Sequence, residues 1–352
     1  VAVESRQHSK TLPDNLQALR GKKVLVTGAA GFIGGHLFQR LNDYGIDTLG
    51  TVLYPGEAEA LRAAGLKAEV LDLASDKPWD DLLRGFDIVF NVAAMFQETE
   101  HGEDAYDKVN NHGALKLAQT AARVGVGRFV HCSTVGVHGS VLEIPATEES
   151  PFNPMDAYHR TKLAGELAIK AFAETLPEDG MVVCINRPAM VYGPGDMRML
   201  KLFKAILSRR FWMIGSGKVL AHLGYIEDQT QSFLLSAVAP RQLVHAEAIN
   251  IASGTPITLN ELAQAIAECG GVKLSALHLP FAPLWLASVI CEAIFAPFGA
   301  RPPLSRRRIG FFSHNRAFDL SKARKLLGYQ SAWDHRRGIE ETIKWYRKEN
   351  LV

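Results

Sequence analysis

The segment YHRTK, residues 158–162, places a phenol and an ammonium four positions apart. On a helix, residues i and i+4 share a face, so Tyr158 and Lys162 can reach one small region together. A free phenol ionises near pH ~10, beyond the physiological range. A neighbouring ammonium favours the phenolate, so such a pair can take up and return a proton near neutral pH. Thr134 closes the apolar run RFVHCST (128–134), at a predicted C-terminal strand end. Taken alone, Tyr-x-x-x-Lys also describes many ordinary surface pairs. Its meaning depends on what else the chain brings to the same rim.

The second feature is VLVTGAAGFIGG, residues 24–35, with glycines at 28, 31 and 34. Gly28 permits a tight turn out of a strand. Gly31 lets the backbone approach a pyrophosphate, and Gly34 lets the next helix lie close to the sheet. Phe32 and Ile33 open that helix, whose free N–H groups face an anion. A strand before and a helix after make this a dinucleotide loop rather than a chance glycine cluster. At the end of the second strand, an acid would bind the adenine ribose of NAD, and an arginine the 2′-phosphate of NADP. Leu53 and Tyr54 stand there instead, and Glu57 reads as a helix-start residue. The missing arginine favours NAD and leaves NADP open. Asp72, followed by Leu73, either faces the adenine or caps a turn.

Around these residues, strand-like and helical runs alternate. Strands are expected at 23–28, 48–54, 67–73, 87–93, 128–134 and 181–187, with amphipathic helical runs between several of them. This predicts an α/β fold: a doubly wound parallel sheet (Rossmann) with a second, smaller, discontinuous α/β substrate domain. Residues 1–20 read as a mobile arm, with neither the apolar core nor the cleavage pattern of a signal peptide. The dinucleotide-binding domain takes 21–187 and 225–249, and the substrate domain mainly 188–224 and 250–352. Residues 225–238 read as a short strand and helix rejoining the first domain. Thr258 with Glu261 reads as a helix-capping pair.

Several separated segments then resemble one family, the extended short-chain dehydrogenase/reductases of the NAD-dependent epimerase/dehydratase group. They are TGAAGFIG (27–34), DL (72–73), NVAA (91–94), STVGVHG (133–139), YHRTK, RPAMVYGPGD (187–196), YIED (225–228), NIASG (250–254) and FDLSKARKLLGY (318–329). The resemblance covers nearly everything from residue 22 onward. It implies an NAD(P)-dependent oxidoreductase or epimerase with Tyr158 as acid/base. Lys162 would hold the nicotinamide ribose and lower the phenol's pKa, and Thr134 would bind the reacting oxygen. It also implies cofactor contacts at Val92, Ala93, Ala94, Pro188 and Ala189, and a family asparagine at Asn110. Met95, Phe96 and His138 are candidates for the substrate wall, against simple packing. His131, His138 and His159 have no zinc-ligand spacing, so no metal is expected.

For the substrate, an apolar hydroxy/keto compound of the 3β-hydroxysteroid dehydrogenase type is expected first and a nucleotide-sugar second. Sugar-nucleotide relatives often carry an arginine where this chain has Ala221, although Arg307 or Arg308 could reach a phosphate from another side. Dehydratases pair acids after the threonine, where this chain has Val135 and Gly136, which argues against elimination. A non-catalytic NAD(P)-binding sensor is the remaining class, opposed by the presence of both Tyr158 and Lys162.

The apolar stretch 279–299, broken by Glu292 and three prolines, reads as buried or interfacial rather than membrane-spanning. Five arginines follow in 301–316, so a weak peripheral contact with anionic lipid competes with an ordinary basic face. The formal net charge of +2 shows no general bias toward nucleic acid. Four scattered cysteines fit reduced thiols of a cytoplasmic protein, with Cys132 and Cys184 in the core. A homodimer is what the family resemblance implies.

Overall fold

The computed structural model describes residues 11–96, 102–141, 143–295 and 302–352, except for the side chains at 307 and 308. Six strands, β1 (Lys23–Thr27), β2 (Asp47–Val52), β3 (Lys67–Val70), β4 (Ile88–Asn91), β5 (Arg128–Cys132) and β6 (Val182–Pro188), join an edge strand, Glu247–Ile251. They form one seven-stranded sheet in the order edge–β6–β5–β4–β1–β2–β3, and every pairing is parallel. The chain builds outward from β1 to β3 and then returns to the other side at β4. That reversal opens a crevice at the strand C-termini between β1 and β4.

Both faces of the sheet are covered, which explains the continuous apolar strands. Alternation assigns their residues to opposite layers. Val24, Val26 and Phe90 join Phe38 in one core, and Leu25, Val89, Phe129 and Ile185 join Leu117 in the other. A third core, around Tyr192, Phe203, Tyr225, Ile266 and Tyr346, belongs to the smaller unit. That unit holds the helices Leu200–Leu207, Leu259–Gly270 and His335–Lys348 and only two-stranded β pairs. The capping pair forms as expected: Thr258 Oγ1 accepts from Glu261 N at 3.1 Å, and Glu261 accepts from Thr258 N at 2.7 Å.

Three expectations need correction, and a fourth is narrowed. Of the arm, residues 1–10 lie outside the described residues, but the rest is docked: Leu12, Leu16 and Leu19 are buried in the first core. The short strand Leu223–Tyr225 pairs with β7 (Met190–Tyr192), not with the main sheet. Only the helix after it, Ile226–Val238, rejoins the first domain. The sheet's edge strand runs to Ile251, beyond the boundary expected at 249. Finally, of the two placements expected for the apolar stretch, buried or interfacial, the helix Phe281–Phe295 does not take the buried one. Ser288 is its only buried residue among those described, while Leu286 is 60% exposed and Ile294 57%.

Candidate active site

The glycine loop leaves β1 with Gly28 at φ +70°, a conformation that disfavours any side chain. A Cβ on Gly28 would lie 3.0 Å from the main chain of Ala93, and one on Gly34 would lie 2.2 Å from the Gly28 carbonyl oxygen. The loop is therefore a backbone-only cradle pressed between β4 and the first helix, Phe32–Asp43. Gly31 caps that helix and no side chain bonds its first N–H groups, which leaves them for an anion. These features fit a dinucleotide. The NVAA segment supplies the facing wall through Val92, Ala93 and Ala94, held by the main-chain N–H groups of Val92 and Ala93 donating to Thr27 Oγ1, each at 3.0 Å.

Asp72 follows β3 and accepts from Ala74 N at 2.9 Å, so it does cap a turn, with its carboxylate still exposed. Leu73 beside it is buried. Glu57 accepts from Tyr54 N, which bears out its helix-start reading. Pro188 and Ala189 are buried where β6 passes into β7, with Ala189 N donating to Ile251 O at 2.8 Å.

Thr134 follows β5, and Tyr158 and Lys162 lie in the first two turns of the helix Ala157–Glu174. Asp156 caps the helix Ala157–Glu174 by accepting from His159 N, which sets the phase of Tyr158 and Lys162. Thr134 Oγ1 accepts from Gly136 N at 3.1 Å, so its own proton remains free to donate. The Tyr158 ring meets Phe96 edge-on, with centroids 4.8 Å apart. Burial raises the Tyr158 pKa above its ordinary value. Lys162, 1% exposed, donates to the Cys132 carbonyl at 2.5 Å and lies 3.4 Å from His131 Nε2. The ammonium expected to lower the phenol's pKa is thus directed at β5. The cation that does act on the phenol is Arg198, which opposes the effect of burial.

Arg198 was absent from the sequence-based site. Its guanidinium lies 5.4 Å from the ring centres of both Phe32 and Phe96, spanning the glycine loop and the pocket wall. Asp196 and the Val191 carbonyl hold it there. The sequence signal was its position two residues after the GPGD turn, which delivers the smaller unit's chain to the cofactor rim.

Two proposed substrate contacts are occupied by the protein itself. Asn110 is fully buried: its oxygen accepts from Met95 N at 2.8 Å, and its nitrogen donates to Met95 O and Thr161 Oγ1. It fixes the wall segment to the Tyr158 helix, with both amide protons engaged within the protein. His138 is 2% exposed, stacked on Phe152, with Nε2 3.1 Å from Arg187. Burial and Arg187 lower its pKa. Arg187 is paired with Glu166 at 2.5 Å, and Ser133 Oγ donates to the same carboxylate at 2.5 Å. His138 and Ser133 thus belong to a buried structural network. Met95 and Phe96, half-buried and exposed respectively, remain on the rim.

A family model for NAD dependent epimerase/dehydratases matches residues 24–252, from β1 to the end of the edge strand. The chain belongs to that family. It is an NAD-dependent dehydrogenase or epimerase, with NAD as the cofactor its cradle fits. Within the family it is 29% identical to a UDP-glucose 4-epimerase of Mycolicibacterium smegmatis, covering 93% of this chain and 99% of that one. It is 28% identical to a 3beta-hydroxysteroid-dehydrogenase/decarboxylase of Arabidopsis thaliana, covering 91% and 78%. The structure of MoeE5 with UDP-glucose and NAD superposes with a TM-score of 0.70 at 25% identity, covering 93% and 99%.

Proposed function

We propose that this chain is a nucleotide-sugar epimerase that retains its NAD, inverting one secondary-alcohol carbon through a ketone. This reverses the order of substrate classes expected from the sequence. The observation that carries it is Arg316. The missing arginine at 221 has a neighbour across the chain: Arg316 N donates to Leu220 O at 2.8 Å. The Arg316 guanidinium is half-buried, and among the described residues it bonds only the carbonyls of Phe311 and His314, with no acidic partner. A half-buried guanidinium without a carboxylate is suited to a diphosphate. The near-complete overlap with a UDP-glucose 4-epimerase supports the same reading.

Gly28, Gly31, Gly34 and the wall at Val92–Ala94 would hold the NAD, with Lys162, Pro188 and Ala189 beside its reactive end. When bound, NAD supplies the hydride acceptor and then the donor. Tyr158 takes the hydroxyl proton in one direction and returns it in the other. Thr134 donates to the reacting oxygen, and Arg198 supplies positive charge near the phenolate. Val135 and Gly136 offer no acid or base for elimination, so the ketone is rereduced rather than dehydrated.

Incubation with UDP-glucose, followed by NMR of the sugar configuration, tests this. Interconversion to the C4 epimer without net NADH is expected. R316M should weaken UDP-glucose binding about tenfold or more, the scale of a lost charged hydrogen bond. Absence of epimer, together with stoichiometric NADH from a hydroxysteroid, would favour the second reading, an oxidoreductase of apolar alcohols. That reading draws on one specific observation, the exposed apolar helix Phe281–Phe295. The same helix admits a weak peripheral contact with lipid.

A further inference from the structure

Parallel register lines up Thr27, Asn91 and His131 side by side on β1, β4 and β5, and the row ends at Lys162. All four side chains are 0–1% exposed. Their hydrogen bonds fix one another's protons. Thr27 Oγ1 already accepts two main-chain N–H groups, so its own proton goes to Asn91 Oδ1, 3.0 Å away. That orients the amide, and Asn91 Nδ2 donates to His131 Nδ1 at 3.1 Å. His131 is held neutral by its burial, which puts its pKa well below the usual value. Since Nδ1 accepts, the single ring proton sits on Nε2, facing Lys162 Nζ at 3.4 Å.

An ammonium at Nζ would set N–H against N–H. An uncharged amine can instead accept from Nε2 while donating to the Cys132 carbonyl. We propose that His131 is a positioning residue that holds Lys162 as a neutral amine in the cofactor-free protein, through an Nε2–H to Nζ hydrogen bond. The other groups around Nζ are compatible. On β5, burial pushes the Cys132 thiol up to about 11, leaving it uncharged. On the lysine's own helix, Tyr158 is a neutral phenol, and the Glu166 charge is matched by Arg187. Burial lowers the Lys162 pKa in the same direction. The inference rests on Tyr158 and Lys162 acting as a pair. A proton leaving Tyr158 then finds an acceptor at Lys162, and phenolate with ammonium forms without adding net charge to a buried site.

The test is NMR of the full chain, free of nucleotide, with labelled histidine and lysine. H131Q and K162R assign the two signals. His131 is expected as the Nε2–H tautomer from pH 6 to 8, and Lys162 as an amine at pH 7.5. In H131Q, whose side chain offers an acceptor oxygen, the Lys162 pKa should rise by about one pH unit or more. H131N serves if H131Q does not fold. An Nδ1–H tautomer, an imidazolium, or a Lys162 titration identical in parent and variant would overturn the inference. None of these readings depends on a substrate, so their failure is distinguishable from failure of the epimerase proposal.

Discussion

The sheet half and the helix Phe281–Phe295 invert the usual placement of polar and apolar groups. Under the cofactor rim, Thr27, Asn91, His131 and Lys162 are buried, each with a hydrogen-bond partner in the row or its flanks. On the helix, Leu286, Ile290 and Ile294 stand 52–60% exposed along one face. Burying a polar row carries a desolvation penalty of several kcal/mol unless it is fully paired, on the order of 2–7 kcal/mol per group. The row is tolerable because parallel register pairs each member before any ligand arrives. The exposed apolar face has no such partner among the described residues. One region is paired by folding, and the other stands exposed.

The largest effects should come from breaking the paired region. Y158F should keep the fold and most NAD affinity while losing about 10²-fold or more in turnover, the scale of general acid–base catalysis. K162A should lower both turnover and NAD affinity. Steady-state rates with the true substrate and calorimetry with NAD separate the two, and parental turnover by Y158F would exclude the mechanism. Next comes the cradle. Gly34→Ala sets a methyl 2.2 Å from the Gly28 carbonyl oxygen. Overpacking of this kind costs about 1–3 kcal/mol. NAD affinity and Tm should therefore fall together, whereas G56A, at a glycine with nothing within 4 Å, should change neither.

The same contrast explains what could be read from the sequence. Glycine spacing, β-strand alternation and Tyr-x-x-x-Lys encode backbone constraints, and these are local in the chain. The strands at 23–28, 128–134 and 181–187 fall within a residue or two of β1, β5 and β6. The placement of Thr134 after β5 and of Tyr158 and Lys162 early in one helix follows from them. The roles of Asn110 and His138 could not be read this way, because their partners, Met95 and Arg187, are set by tertiary packing. Arg198 and Arg316 escaped for a similar reason. Only the fold shows that one bridges Phe32 and Phe96 and that the other adjoins Leu220.

A smaller effect sharpens the contrast through pH. His222, buried beside Phe318, has its pKa lowered by burial to about 4. The unfolded chain keeps an ordinary value of about 6.5. Above that pH neither state is protonated. As pH falls through the window, the unfolded state alone gains the proton, and stability drops by up to about 3 kcal/mol. His131 and His138 shift the same way. Glu148 and Asp228, raised by burial, work in the opposite sense, so the difference between parent and H222Q isolates the histidine. Urea unfolding at pH 7.5 and 5 should show a shallower loss in H222Q. Equal losses would remove His222 from the account.

The smallest effect concerns the exposed region. No helix among the described residues is long and apolar enough to cross a membrane. The structure reduces the electrostatic part of the weak lipid contact expected from the sequence. Arg306 pairs with Glu292 at 2.5 Å, and Arg316 is bonded to main-chain carbonyls. Arg301 and the side chains of Arg307 and Arg308 lie outside the described residues. Leu286, Ile290 and Ile294 then provide most of the contact, with Trp285 and Val289 at its edge. Flotation with vesicles of anionic lipid should show modest binding that high salt weakens only slightly, because salt screens charge and not apolar burial. L286D/I290D should abolish it. If the parent fails to float at low salt, the face is not a lipid surface. A loss of turnover in the same double variant would then place it over the substrate entrance, where an apolar alcohol could use it.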